Sequence, residues 1–393
     1  MTQPGAGIAR ALTVKGAIQD EVWHRAVLAV DRDAFVPDTV WVPDDDEPGW
    51  ERPVTRGDPE FDPLLAGDWA LVTQVDDGKP SGPDGRGRVP SSSLSQPSLV
   101  VAMLQALDVA DGMRVLEIGT GTGYNTALLC ERLGADRVTS VEVDPAVAGQ
   151  AAANLRAAGY KPHLVVGDGA VGVPGRAPFD RVIATVAAKR VPMTWITQTR
   201  PGGVIVTPWG PGFDSAALLR LTVSGDGSAR GRMVGDAPFM WLRDQRFGAE
   251  PWHVHVDEDS PDAVAGTVLV NPRVVTDRHP GWRVVLGQLA PGLGYASFDA
   301  DPENTAAAGE ASVYVYDRAG SWALGEYTPA GPPYESRRAG PRDLWSEIAA
   351  AREVWERAGR PARERLGLTV TADGGHVLWL DGPENPIEAP PLL

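Results

Sequence analysis

Val115-Leu116-Glu117-Ile118 is a short apolar run carrying one acid, and it leads directly into Gly119-Thr120-Gly121-Thr122-Gly123 and then Tyr124, where a helical pattern begins. Glycines at alternate positions let the backbone turn tightly and approach a ligand where a Cβ would collide. At the carboxyl end of a central strand, where open α/β sheets bind their ligands, such a turn makes a nucleotide-sized pocket.

Two positions narrow the occupant. A dinucleotide fingerprint would have its third glycine where Tyr124 stands. Glu117, two residues before the first glycine, would repel a pyrophosphate but suits a ligand with an amino-acid cation and a ribose. The pattern is that of an S-adenosylmethionine site, with Glu117, Gly119, Thr120, Gly121, Thr122, Gly123 and Tyr124 as its candidate seat. Residues 137–142 form a second β-type run ending in Glu142, with Val143 next, at the offset where a carboxylate meets two ribose hydroxyls. Residues 125–133 and 145–158 read as helices, the second with Pro145 in its first turn and Gly159 as its stop. Residues 163–166 lead to Gly167-Asp168-Gly169, whose carboxylate can take an adenine amino group, and residues 179–186 and 204–207 supply two further strands. The expected fold class is α/β: a Rossmann-like methyltransferase with a mixed, mostly parallel central sheet and an α+β carboxyl-terminal domain.

A chain of 393 residues exceeds one ordinary core. Residues 1–97 are expected to be a helical segment with an acceptor-side loop, 98–245 the cofactor-binding domain, and 246–393 an extension for peptide recognition. The net charge of −16 argues against nucleic acid or anionic membrane as partner. Cys130 is the single cysteine, so neither a disulfide frame nor a cysteine metal cluster is available. The first residues lack the pattern of a secretory signal and no apolar run reaches about eighteen residues, so a cytoplasmic location is expected; a monomer is expected as well. Residues 76–90 have the composition of a flexible loop, and Asp44-Asp45-Asp46-Glu47 that of a solvated one. His253, His255 and Asp257 share one face of an apparent strand; an exposed strand face is favoured over a metal site there. Beyond Arg243 lie six of the thirteen tryptophans, read mainly as core, a helix at 341–358 and a hairpin at 366–380 turning at Asp373-Gly374.

The segment before the glycine turn bears on the methyl acceptor. Ser93-Leu94-Ser95-Gln96-Pro97, the glycine turn, Gly167-Asp168-Gly169, Ala177-Pro178-Phe179-Asp180, residues 198–203 and Pro208-Trp209-Gly210 together resemble the protein L-isoaspartyl O-methyltransferases, over residues 14–243. Gly16 to Asp20 with residues 30–37 resemble that family's opening helices, and residues 237–243 its last core strand. The resemblance implies S-adenosylmethionine as cofactor, Ser95 beside the acceptor carboxylate with Ser93 near it, Glu142 on the ribose, and Asp168 with Gly169 at the adenine. It also implies Gln96, Thr185, Val186 and Ala187 on the substrate side, with Thr185 at the reacting centre, and no metal. A carboxylate of pKa near ~4 is already ionised at neutral pH, so its methylation needs no general base.

Two departures from the family pattern stand out. A glycine-rich entry to the serine is replaced by Val89-Pro90-Ser91-Ser92-Ser93, and the chain runs on beyond Arg243, where the family's repair enzymes are expected to stop. The combination resembles the homologues that methylate one aspartate of a constrained lanthipeptide, graspetide or lasso peptide, where the ester closes to an aspartimide and opens to isoaspartate. Repair of isoaspartyl proteins is the alternative, and a non-catalytic binding module a remote one.

Overall fold

The computed structural model describes residues 5–213, 217–246, 251–301 and 307–388. The chain opens with α1 (Ala6–Val14) and α2 (Glu21–Ala29), the second capped by the Asp20 carboxylate, which accepts the Val22 N–H. Then come β1 (Thr39–Pro43), β2 (Glu51–Thr55), α3 (Phe61–Ala66), β3 (Leu71–Val75) and β4 (Pro90–Leu94), the strands forming an antiparallel sheet in the order β2-β1-β3-β4. A sheet thus stands where a helical segment and a loop are expected for residues 1–97. Sequence patterning conceals it because β2 contains a proline and two charged residues, and because residues 76–90 look like linker. That stretch is ordered by one side chain. The Asp76 carboxylate accepts the N–H groups of Ser81, Arg88 and Val89 and the Ser81 hydroxyl, folding the excursion back onto β3. In the acidic turn Asp44 is buried and paired with Arg86 at 3.0 Å, while Asp45, Asp46 and Glu47 face solvent.

Helix α4 (Pro97–Leu107) leads into the central sheet. Its elements follow as β5 (Val115–Ile118), α5 (Tyr124–Leu133), β6 (Val138–Glu142), α6 (Pro145–Ala157), β7 (His163–Val166), β8 (Phe179–Ala184), α7 (Met193–Thr197) and β9 (Thr199–Trp209). Strands β7, β6, β5, β8 and β9 run parallel in that order, and β10 (Ala217–Val223) and β11 (Ala229–Asp236) continue antiparallel. Every residue of β5 is buried, as suits a parallel strand covered on both faces. Its neighbours are β6 on one side and β8 on the other, so the strand order reverses beside β5, where α/β sheets open a crevice.

Beyond the strap of residues 237–246, β12 (Val264–Val268), α8 (Pro280–Leu289), β13 (Gly294–Asp299), β14 (Ala311–Tyr316), β15 (Trp322–Tyr327) and β16 (Tyr334–Ala339) build an antiparallel sheet in the order β12-β16-β15-β14-β13. Helix α9 (Leu344–Arg357) returns the chain to the central sheet, where β17 (Leu366–Val370) and β18 (His376–Leu380) pair onto β11, Ala229 opposite Val370. A division at 245/246 therefore does not separate two cores. One cluster joins Leu116, Ile118, Val182 and Leu219 to Trp282, Val313, Trp345 and Leu368, and the opposite face packs against Leu12, Trp23, Phe35 and Leu71. Of the late tryptophans, Trp282, Trp322, Trp345, Trp355 and Trp379 are buried. The segment with His253 and His255 is a single 3-10 turn, so the two do not share a strand face; His255 stacks on Tyr316, with ring centroids 5.2 Å apart. Among the described residues no His, Cys, Asp and Glu group could hold a metal, and no helix is long and apolar enough to cross a membrane.

Asp68 fastens the start of α4 to the segment before it and to α1. It accepts the Ser98 N–H at 2.8 Å, the Gln96 amide at 3.2 Å and the Lys15 ammonium at 2.8 Å. Burial alone would raise its pKa, but these bonds outweigh it and hold the group at about 2. With the unfolded value near ~3.9, the stabilisation is complete above about pH 4 and is lost as pH falls toward the folded value. Asp68→Asn is expected to cost ~1–3 kcal/mol at neutral pH. Thermal melts at pH 7 and at pH 3 should show a smaller difference for this variant than for the parent.

Candidate functional site

At the carboxyl ends of β5, β6 and β8 lies a cavity open to solvent. Its floor is the glycine turn. Gly119, Gly121 and Gly123 have φ of +90°, +55° and +95°, a region glycine enters without the Cβ penalty. A Cβ on Gly119 would lie 2.9 Å from Thr185 Oγ1, and one on Gly123 3.1 Å from the Leu155 side chain, so the turn is pressed between the end of β8 and α6. Glu117 is not in the wall. It lies fully buried beneath the turn, accepting from Asn125 Nδ2 at 2.7 Å and Thr126 Oγ1 at 2.5 Å, which fastens strand β5 to the first turn of α5. Burial pushes its pKa to about 7, with the bonds from Thr126, Asn125 and Ser140 opposing the rise and Glu142 adding to it.

Glu142 forms the next wall. One of its oxygens accepts the Gly121 N–H at 3.0 Å and the other the Asp144 N–H at 3.1 Å, leaving further lone pairs toward the cavity. Val143 flanks it. Asp168 accepts the Ala170 N–H at 2.8 Å, and Gly169 is buried where a Cβ would sit 2.5 Å from Ile118. Facing the turn is β4, with Ser91, Ser92 and Ser93, then Ser95. A Gly121 Cβ would lie 3.4 Å from the Ser93 carbonyl, so floor and wall meet there. Ser91 donates to Gln74 at 2.7 Å and Ser92 accepts from Thr73 at 3.2 Å, whereas no described residue hydrogen-bonds the hydroxyls of Ser93 and Ser95.

The roof is a strap, not the strand expected at residues 237–243, because β11 ends at Asp236. Met240 accepts the Ala187 N–H at 2.7 Å and Leu242 donates to the Ala187 carbonyl at 2.8 Å, bringing Phe239, Trp241 and Leu242 over the cavity. Arg243 and Arg246 then reach across to Asp77 at 3.1 and 2.8 Å.

Of the residues singled out from sequence, Gly119, Thr120, Gly121, Thr122, Tyr124, Glu142, Val143, Asp168, Gly169, Ser93, Ser95, Thr185 and Val186 line this one cavity. Gln96 does not; its amide is turned onto Asp68 and Ser98. Ala187 is buried and holds the strap, and Thr185 spends its hydroxyl on the Gly119 and Ile118 carbonyls, at 2.6 and 3.1 Å. Sequence reading places Ser91 and Ser92 only in the altered segment before Ser93 and misses Asn125, Arg243 and Arg246 as lining residues. Only Asn125 carries a local signal, a polar residue opening an otherwise apolar stretch of helix.

The buried Oδ1 of Asn125 and Oγ1 of Thr122 have no partner among the described residues, and both side chains line the cavity. Unpaired acceptors beside the Glu142 carboxylate suit a ligand that brings ammonium and hydroxyl donors. S-adenosylmethionine is such a ligand, and the residues present fit it.

Comparison with known proteins agrees. Residues 88–246 match the model of the family described as Protein-L-isoaspartate(D-aspartate) O-methyltransferase (PCMT). The chain is 37% identical over 151 residues to the protein-L-isoaspartate O-methyltransferase of Pyrococcus horikoshii, a stretch covering 38% of this chain and 68% of that protein. To its counterpart from Methanopyrus kandleri it is 37% identical over 172 residues, 43% of this chain and 74% of that one. The chain belongs to the protein-L-isoaspartate O-methyltransferase family. Its members are S-adenosylmethionine-dependent carboxyl methyltransferases, and that is the enzyme class and cofactor of this chain. A solved structure titled protein-L-isoaspartate O-methyltransferase shares the fold at a TM-score of 0.55 and 21% identity, covering 96% of this chain and 100% of its own. The shared fold thus continues well past Arg243, which corrects the expectation that members named for this activity stop there.

Replacing Glu142 with Ala should weaken binding of S-adenosylhomocysteine by about tenfold or more in calorimetry, the loss expected when hydrogen bonds to a charged group are removed. Glu117 acts on stability with the opposite sign to Asp68. Its folded pKa lies above the unfolded value, so its contribution is complete below about pH 4 and is lost as pH rises through about 7. Glu117→Gln is expected to remove that loss, read as a flatter melting temperature between pH 5 and 8.

Proposed function

We propose that this enzyme esterifies an aspartate side chain of a constrained ribosomal peptide, that the following backbone amide nitrogen attacks the ester and expels methanol to close an aspartimide, and that addition of water opens it to isoaspartate. The observation that carries the reading is the acceptor wall. In place of a glycine-rich entry it has an edge strand, β4, whose serines line the cavity and whose approach is held in one shape by Asp76. A wall fixed by a sheet on one side suits a substrate of fixed shape better than the many surroundings of damaged residues.

In this reading Glu142 takes the ribose hydroxyls, Asp168 with Gly169 the adenine edge, and the free hydroxyls of Ser95 and Ser93 the acceptor carboxylate. When bound, S-adenosylmethionine supplies an electrophilic methyl on a sulfonium. The chain's task is positioning: two hydroxyls hold one carboxylate oxygen at near-attack distance, about 3 Å, and the strap of residues 237–246 limits water. Thr185 contributes by fixing the Gly119 carbonyl rather than by touching the acceptor.

The second reading is repair of isoaspartyl residues in damaged proteins. Family membership and a fold shared along nearly the whole chain with a protein named for that activity favour it.

Mass spectrometry of cyclised and linear precursor peptides, run beside a short linear isoaspartyl peptide, separates the two. Gain of one CH2 followed by a net loss of water, on the cyclised peptide only, supports the first reading; rapid methylation of the linear isoaspartyl peptide supports the second. With whichever peptide is methylated, Ser95→Ala is expected to lower kcat/KM by roughly 10- to 100-fold, the worth of one hydrogen bond to a charged group, with cofactor affinity unchanged.

A further inference from the structure

A second groove opens on the far side of the glycine turn. It lies between β3, β4 and the first turns of α6. Ser92, Gly121 and Thr122 line both this groove and the cofactor cavity, so the two are continuous around the edge of β4. Its base is apolar, with Phe35, Pro37 and Val147, and its rim is of amides and hydroxyls, including Gln74, Gln150 and Asn154. No charged side chain lines it, in a protein of net charge −16.

The groove lies at the start of a helix, yet it is not an anion site. The Asp144 carboxylate already accepts the N–H groups of Ala146 and Val147, at 2.9 and 3.2 Å, and supplies negative charge there. What remains is neutral. Asn154 donates to the Thr122 carbonyl at 3.0 Å and Gln150 to Asn154 at 2.8 Å, which holds the rim in place, while the buried Thr122 hydroxyl has no partner among the described residues.

We propose that this groove receives the residue adjacent to the methyl-accepting one in the peptide substrate, and that it selects an uncharged side chain at that position. The proposal rests on the carboxyl-transfer reading above and holds for either substrate class. A peptide running along β4 with its acceptor beside Ser93 and Ser95 brings its next residue past Ser92 into the groove. A charged side chain there would leave water for an apolar base and find no counter-ion within the lining, because the neighbouring Asp144 carboxylate is already engaged by the Ala146 and Val147 N–H groups, Gln74 and Arg243.

The test uses the full chain and a series of peptides, linear isoaspartyl and cyclised aspartyl, that differ only in the residues flanking the acceptor: Ala, Val, Asn, Lys or Glu. Lys and Glu at one flank are expected to raise KM about tenfold over the neutral residues. Val147→Trp, which fills the groove, and Gln150→Trp, on the exposed rim, should each raise KM for the neutral peptides with kcat and S-adenosylhomocysteine affinity retained, retained affinity showing that the variants fold. Equal KM across the series, or an unchanged KM in both variants, overturns the groove assignment and leaves the carboxyl-transfer reading standing. A parent enzyme that methylates no peptide of either kind overturns both.

Discussion

The turn after β5 has no room for a side chain at Gly119 or Gly123, and its backbone conformation is one that other residues resist. Thr185, Leu155 and the Ser93 carbonyl close on it from three sides, so β8, α6 and β4 are all positioned against the same few atoms. Glu117 secures the turn from below. A buried carboxylate is costly, and here two side-chain donors from α5 meet it directly. The cost is thereby converted into registry: strand, turn and helix can take only one relation in which that carboxylate is satisfied.

From this centre the sheet extends in two ways. Its parallel half supplies strand ends that carry Glu142 and Thr185. Its antiparallel half, completed by β17 and β18 from the end of the chain, supplies an apolar face on which the carboxyl-terminal sheet and its tryptophans rest. The strap joins the halves at the cavity. Ala187 bonds it on one side, and Arg243 and Arg246 bond it to Asp77 on the other, so the roof is tied to the turn that leads into β4. Cofactor seat and acceptor wall therefore share ion pairs as well as atoms of contact.

How much of this is legible in the sequence follows from the range of the forces involved. The glycine turn, the strands around it, Glu142 and Asp168 are set by local backbone conformation and by short apolar runs, and they stand out in the chain. Residues 179–186 overshoot β8 by two positions because Thr185 and Val186 are β-type residues that fall on the bend where β8 ends. The sheet of residues 39–94 is invisible for the opposite reason: β2 and β4 bury few residues, and the chain between β3 and β4 is held by Asp76 rather than by hydrophobic periodicity. Gln96 and Arg243 show the same limit within the site. Their positions depend on Asp68 and Asp77, distant partners that no spacing along the chain reveals.

The acceptor side is where physics and family resemblance give different amounts of information. Any chain that methylates a carboxylate must desolvate and align it, and none needs to deprotonate it, so no base or metal distinguishes one acceptor from another. Discrimination must then come from shape and from neutral contacts around the reacting carboxylate. On the reading proposed above, those contacts lie on β4 and on the groove beyond Ser92, which β3 and β4 share with the glycine turn and α6. The carboxyl-terminal extension lies behind that sheet, with its core on the face that includes Ile118 and Val182. The search for substrate specificity therefore begins at the amino-terminal sheet, whose edge strand forms the wall opposite the glycine turn.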